Sequence, residues 1–270
     1  MNADISVAKI QHYGAFFIMA ARLRAMSKWK VIITTVDVAN PLFYLVAIGI
    51  GVGVLVSRNS GDSGTGGIPY LAFIAPALLA NTAILGTLDE VVFPTIEGFK
   101  WRKLFFAQNS TPISGTQIAL GVYLAAIARA LFSVTIYYLL LLTFNVVELR
   151  ESLLLVPTAV FGGASFGALL LFVAAKVEKD DFFFTVLGRL VIMPMFLFSG
   201  TFFPLSVMPI YLQPIGWISP LWHVTELGRQ ASYAYGLSVL MITVHLIYLS
   251  TIFVMGLILA TRQFERRLAK

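Results

Sequence analysis

The chain has 270 residues, 59% of them hydrophobic and only 12% charged. Soluble domains carry about 25% charged residues and 45–50% apolar ones, so the composition excludes a soluble globular protein and points to an all-α integral membrane protein. With no cysteine, disulfides and thiol chemistry are excluded, and the net charge of +6 reads as membrane-orienting charge, not as a nucleic-acid surface.

From the N-terminus, residues 8–29 read as a helix lying at the cytoplasmic membrane surface. The apolar run 13–21 is short. Arg22, Arg24, Lys28 and Lys30 follow it where a cleavage site would need small neutral residues, so no signal peptide is read. The basic residues of this stretch do not fall on one clean face. Residues 1–30 read as an N-terminal interface unit and 31–270 as a single transmembrane domain.

A helix needs about 20 apolar residues to cross the hydrocarbon core. Six segments meet that length: 31–56, 69–93, 116–143, 153–175, 183–203 and 237–261. An even number puts both termini on one side. Basic residues gather in the N-terminal segment, in the 94–115 loop (Lys100, Arg102, Lys103), in the 176–182 loop (Lys176, Lys179) and in the tail (Arg262, Arg266, Arg267, Lys270). The opposite linkers hold only Arg58, Arg150 and Arg229. The positive-inside rule then places both termini in the cytoplasm. Pro94 ends the second span. The first outer loop, SRNSGDSGTGG, is a flexible connector.

The stretch 196–224, FLFSGTFFPLSVMPIYLQPIGWISPLWHV, is uncharged and apolar, yet it holds Pro204, Pro209, Pro214 and Pro220. No straight spanning helix tolerates prolines at that density. The segment 204–236 begins and ends outside, and two more crossings would need about 40 residues. Two half-depth legs of about ten residues, each rising ~15 Å, do fit. A re-entrant hairpin is the expectation. Gly200, the four prolines and Gly216 mark its leg boundaries and tip; an amphipathic flap on the outer surface is the alternative.

Several residues stand out chemically. Glu97, Lys100, Arg102 and Lys103 cluster beside Trp101, Phe105 and Phe106, a combination suited to a groove on a soluble partner. A plain positive-inside anchor is the other account. Arg129 lies deep in the third span, where a charge costs about 2.5–3.5 kcal/mol and must face protein or water. Its candidate partners are Asp37, Asp89, Glu90 and Glu226, and it reads equally as a gating charge or as a packing bridge. Glu226 and Arg229 share a helix face and read as a solvated pair at the outer surface, with outward opening of the hairpin as the functional alternative for Glu226. Phe196, Phe198, Phe202 and Phe203, with Trp217 and Trp222, give the end of span five and the hairpin an aromatic character, fit for a substrate path or for core packing and an interfacial belt. His223 reads as a lone interfacial group. His12 and His245 have no companion at ligand spacing, so no metal site is expected. The NST at 109–111 falls on the cytoplasmic side and carries no glycan.

The run LFSGTFFPLSVMP, then a proline-interrupted hairpin, then ISPLWHVTELGRQ resembles the C-terminal signature of ABC type-2 exporter permeases. It is most similar to the NodJ-like branch, linked to lipo-oligosaccharide export, and shares much with drug-export permeases of daunorubicin-resistance type. STPIS at 110–114 resembles the turn that leads into span three in these proteins. The resemblance implies a half-transporter in the bacterial plasma membrane. Two copies, identical or related, pair through spans one and five, and two ATPase subunits dock beneath on the 94–115 loop. ATP and Mg would sit on those partners, since this chain has no G-x-x-x-x-G-K-[ST] loop and reads as a transport subunit, not an enzyme. The implied cargo is amphiphilic: a lipid-linked saccharide, a glycolipid or a hydrophobic drug. A secondary transporter or channel without an ATPase partner is the competing class. It commonly shows internal repeats and intramembrane coupling carboxylates; no repeat is evident here.

Overall fold

The computed structural model describes residues 2–52, 67–178 and 182–269, and among them every regular element is helical. Helix α1 (Asn2–Ser27) turns at Lys28–Trp29 into α2 (Lys30–Tyr44), which continues as a π-helical stretch, Leu45–Val52. Helix α3 (Tyr70–Ile96) passes into a π-turn, Glu97–Trp101, and the short α4 (Leu104–Asn109). Then come α5 (Gly115–Thr143), the single turn α6 (Leu149–Ser152), α7 (Leu155–Lys176) and α8 (Phe183–Phe198). A 3-10 turn at Leu205–Val207, α9 (Gln213–Ile218), α10 (Pro220–Tyr233) and α11 (Val239–Leu268) complete the chain.

Local chemistry sets several of these ends. At the start of α5, the Ser114 hydroxyl accepts from the Gln117 amide at 3.2 Å. The Gln117 side chain accepts from the Ser114 amide at 3.0 Å, a full capping box. Pro214 and Pro220 each open a helix, where a missing N–H costs nothing. Gly200 has φ +72° and ends α8.

Among the described residues, five helices are long and apolar enough to cross a membrane: Lys30–Ile48, Tyr70–Trp101, Gly115–Thr143, Leu155–Lys176 and Val239–Leu268. The segment expected as the fifth span, 183–203, is a shorter apolar helix because the left-handed Gly200 and Pro204 stop it early. Pro94 does not end the second span. It sits buried inside α3, and the helix runs past it into the π-turn, where the Glu97 amide bonds back to Phe93 and Pro94 carbonyls. Packed neighbours make an interior proline tolerable in such helices. The Gly/Ser connector lies largely outside the described residues.

Helices α3 and α7 form the centre, with 72% and 67% of their apolar windows buried, against 17% for α2 and for α11. The GGASFG run of α7 explains the centre. A Cβ on Gly163 would lie 2.7 Å from the Ala83 carbonyl oxygen of α3; one on Gly167 would strike Thr87, and one on Gly162 would strike Val224 of α10. Without a hydrophobic drive between helices in lipid, such small-residue seams let backbones approach and gain dispersion contact. On the flank of α5, Gly121 admits Ile18 of α1, and the Gln117 side chain donates to the Gln11 carbonyl at 2.5 Å.

One end of the bundle gathers the 94–115 loop and the C-terminal turn of α11. Thr116 donates to Glu265 at 2.6 Å, and Arg267 donates to the Ala175 and Val177 carbonyls at 2.8 and 2.9 Å. This is the basic end. At the far end, α10 packs between the starts of α3 and α7, with Gly228 beside Pro76 and Leu155.

Candidate functional site

The sequence-selected residues fall into three groups. The first is a cavity of about 340 Å³ between α2, α3 and α5. Asp37, Asn40, Tyr44, Asn81, Thr82, Asp89, Arg129, Ser133 and Tyr137 supply its polar groups, and Val36, Pro41, Leu78 and Leu85 its apolar wall. Arg129 is the central residue of α5. Its guanidinium grips both Asp37 oxygens at 2.6 and 2.9 Å, and Ser133 donates to the same carboxylate at 3.1 Å. Of the candidate partners of Arg129, Asp37 is the one engaged. Glu90 instead accepts from Arg22 of α1 at 3.1 Å, and Glu226 pairs elsewhere. Asp89 lines the cavity without an ion pair among the described residues. The Asn81 Oδ1 and Tyr137 hydroxyl atoms are buried and unpartnered. Neither Asn81 nor Tyr137 was singled out from sequence. Asn81 was findable, since a polar amide amid the apolar ALLANTAIL run has to face protein or water.

The second group is the α9–α10 hairpin. Glu226 and Arg229 are not a solvated pair. They meet at 2.8 Å, with the arginine side chain fully buried. Arg229 also donates to the Gly200 carbonyl at 2.7 Å and the Phe73 carbonyl at 3.4 Å, and its guanidinium lies 3.8 Å from the Phe73 ring centroid. Burial follows from the small Gly228 beside it, which lets α10 settle against Pro76. The joint between α9 and α10 falls at Ser219–Pro220, one of the proline positions expected to mark it. Gly216 is inside α9, where a Cβ would lie 2.9 Å from the Phe198 carbonyl. Pro204 and Pro209 flank the 3-10 turn before α9. Tyr248 donates to the Ile218 carbonyl at that turn. Tyr248 lies about 14 Å along α11 from its start at 1.5 Å per residue, so the turn sits that far along α11, with Ser219 buried and Ile218 exposed.

His223 is not alone. Its Nδ1 meets Nδ1 of His245 at 2.8 Å, its Nε2 meets the Trp217 carbonyl at 2.9 Å, and its ring stacks on Tyr248 at 3.8 Å. The carbonyl only accepts, so His223 Nε2 carries the proton and donates. In a neutral ring its Nδ1 then accepts from His245 Nδ1. That leaves His245 Nε2 as a buried acceptor without a partner. The two histidines stand 22 residues apart on different helices, a distance at which sequence spacing carries no signal.

Of the four phenylalanines, Phe196 and Phe202 stack edge to face at 5.2 Å, and Phe196 reaches Tyr44 of α2 at 6.0 Å. Phe203 is exposed, and Phe198 turns its carbonyl toward Gly216. The four do not line one surface.

The third group is the loop. Phe99 is buried against Phe105 and Phe264, and the Arg267 guanidinium lies 4.3 Å from the Phe99 ring centroid. Lys103 at φ 51° forces the reversal into α4. Around this anchored ring Trp101, Arg102, Lys103 and Leu104 are exposed, and Lys100 is half-buried. Glu97 accepts from Arg102 at 2.9 Å and lies 3.9 Å from Arg22, so the loop is tied to α1. Among the described residues no group of three His, Cys, Asp or Glu side chains could hold a metal.

A bundle of apolar helices with small-residue seams, a polar cavity and a buried charged hairpin is the build of a membrane transport subunit. The ABC-2 type transporter profile matches residues 15–233, and the chain belongs to that family. It is similar to the nodulation protein J of Neorhizobium galegae, 27% identical over 87% of this chain and 86% of that protein. The protein of that name in Rhizobium leguminosarum bv. viciae is 26% identical over 87% of both chains. That of Sinorhizobium fredii (strain NBRC 101917 / NGR234) is 28% identical over 72% of both. Permeases of this family generally work with ATPase subunits and form dimers.

Proposed function

We propose that this chain is the permease subunit of an ATP-driven exporter of an amphiphile, such as a lipid-linked saccharide, a glycolipid or a hydrophobic drug, in a bacterial plasma membrane. Two copies, identical or related, enclose the path, and two ATPase subunits carry ATP and Mg. Six crossings result when α8 counts as the fifth, and both termini face the cytoplasm. The charge asymmetry of the linkers supports that orientation. The buried seat of the Ser219–Pro220 turn supports a re-entrant hairpin acting as the outer gate. The contact of α1 with the loop supports an interface role for residues 1–30.

The observation that carries the proposal, beyond family, is the exposed set around buried Phe99. Trp101, Arg102 and Lys103, with Glu97 and Lys100 beside them, surround a rigid anchor at the basic end. A rigid aromatic–basic surface suits a protein groove, and the ATPase would seat there. ATP-driven closure would then move loop and α1 together, rocking the helices as rigid bodies.

The test is copurification in mild detergent. A nucleotide-binding chain should accompany the wild type, and Glu97→Lys with Arg102→Glu should lose ATPase stimulation while remaining inserted. Since Arg102 is 77% exposed, Arg102→Ala alone should change stability by less than about 0.5 kcal/mol. Transport that follows a proton gradient with no ATPase bound would instead establish a secondary transporter.

A further inference from the structure

The cavity between α2, α3 and α5 holds polar groups that its own residues leave unused. Asp37 and Arg129 neutralise each other through two hydrogen bonds. Asp89 remains, so the wall carries one carboxylate in excess. At the other end are the Asn81 Oδ1 and Tyr137 hydroxyl, in residues only 7% and 1% exposed and without partners. Burying an amide or hydroxyl unpaired costs about 1–3 kcal/mol each, and two such orphans facing one cavity mark a place for a ligand or for water.

The geometry fixes the shape of that ligand. Asp89 and Asn81 lie on the same helix, about 12 Å apart along its axis at 1.5 Å per residue. A single cation cannot touch both. Between them the wall is mainly apolar, with Val36, Pro41 and Leu85; the Thr82 hydroxyl already donates to the Leu78 carbonyl, and Asn40 is the polar side chain that α2 adds there. The charged end asks for a positive donor; the far end, with one bare acceptor and one hydroxyl, asks for a neutral group that both donates and accepts.

We propose that this cavity binds a hydroxylated organic amine, with the protonated nitrogen at Asp89 and a hydroxyl at Asn81 and Tyr137, joined by an apolar spacer. The assignment deepens the export reading by giving the amphiphile's head group a chemistry, and only its status as cargo rests on that reading. Asp37–Arg129 forms the side wall and keeps an anionic head group from finding a free guanidinium. A purely neutral saccharide would leave the Asp89 carboxylate unpaired.

The experiment is isothermal titration of the full chain in phosphatidylcholine nanodiscs, with empty nanodiscs subtracted. The probes are 8-amino-1-octanol, octylamine and 1,8-octanediol. The amino alcohol should bind about tenfold tighter than the diol and about threefold tighter than the amine. Asp89→Asn should erase the first difference, and Asn81→Leu the second. Asp89→Glu, which keeps the charge, should retain the preference for the amine and so separates recognition from misfolding. Equal binding of amine and diol to the wild type, or an unchanged preference in Asp89→Asn, overturns the site. Because the titration contains no ATPase, binding is read independently of transport; if the amine binds here but vesicles holding the chain with its ATPase move none of it on adding ATP, its status as cargo falls and the site stands.

Discussion

Arg129 and Arg229 are both arginines inside an apolar bundle, and both face a carboxylate, yet they are held differently. Arg229 is sealed. It has a carboxylate, two backbone carbonyls and an aromatic face, drawn from α10, the end of α8 and the start of α3. Arg129 keeps 12% of its side chain exposed, bonds one carboxylate and one hydroxyl, and borders the cavity. A charge whose three nitrogens each donate to a different element fixes their positions. A charge with one principal partner on a helix that is itself mostly uncovered can release it.

Three substitutions break or sharpen this contrast. Glu226→Ala should be the most damaging. It leaves a fully buried guanidinium without its counter-charge, at a cost of about 3–5 kcal/mol, read as a lowered thermal midpoint in detergent. A loss no larger than that of Asp37→Asn would put the two arginines in the same class. Asp37→Asn removes the partner of Arg129 but leaves water access through the cavity, so the expected loss is smaller, about 1.5–3 kcal/mol. Exchanging the two charges, Asp37→Arg with Arg129→Asp, should recover more than half of it in the same melt. The smallest effect belongs to His245→Leu. One hydrogen bond disappears, but so does an unpartnered buried nitrogen, and the net change should be about 1 kcal/mol. A larger drop would mean that the histidine pair, and not Arg229, holds the hairpin against α11.

The helical architecture was largely legible, because span length and apolar composition act locally and survive without knowledge of packing. Segments 116–143 and 153–175 lie within one or two residues of α5 and α7 at each end. The failures share one cause. Pro94 reads as a stop because proline removes a backbone bond, but packing around α3 carried the helix through. Span 183–203 reads as full length because hydropathy does not register the positive φ of Gly200. Glu226 and Arg229 read as wet because their loop position was known and their neighbours Phe73 and Gly200 were not. Within the cavity, the Arg129–Asp37 pair was one of several open options, and the choice depends on how α2 lies against α5. Pairings across helices, like His223 with His245, leave no periodic trace.

The thin coverage of α2 has a consequence of its own. Val31, Ile32, Phe43 and Val46 all point away from the bundle, and a bilayer receives such side chains equally well at any azimuth, since lipid tails are as apolar as they are. Few apolar contacts tell this helix how far to spin about its long axis: Pro41 and, just past its end, Leu45. One carboxylate on the same edge, aimed at a guanidinium, adds the directional part, so the rotational setting of α2 hangs on a narrow edge with one electrostatic pin.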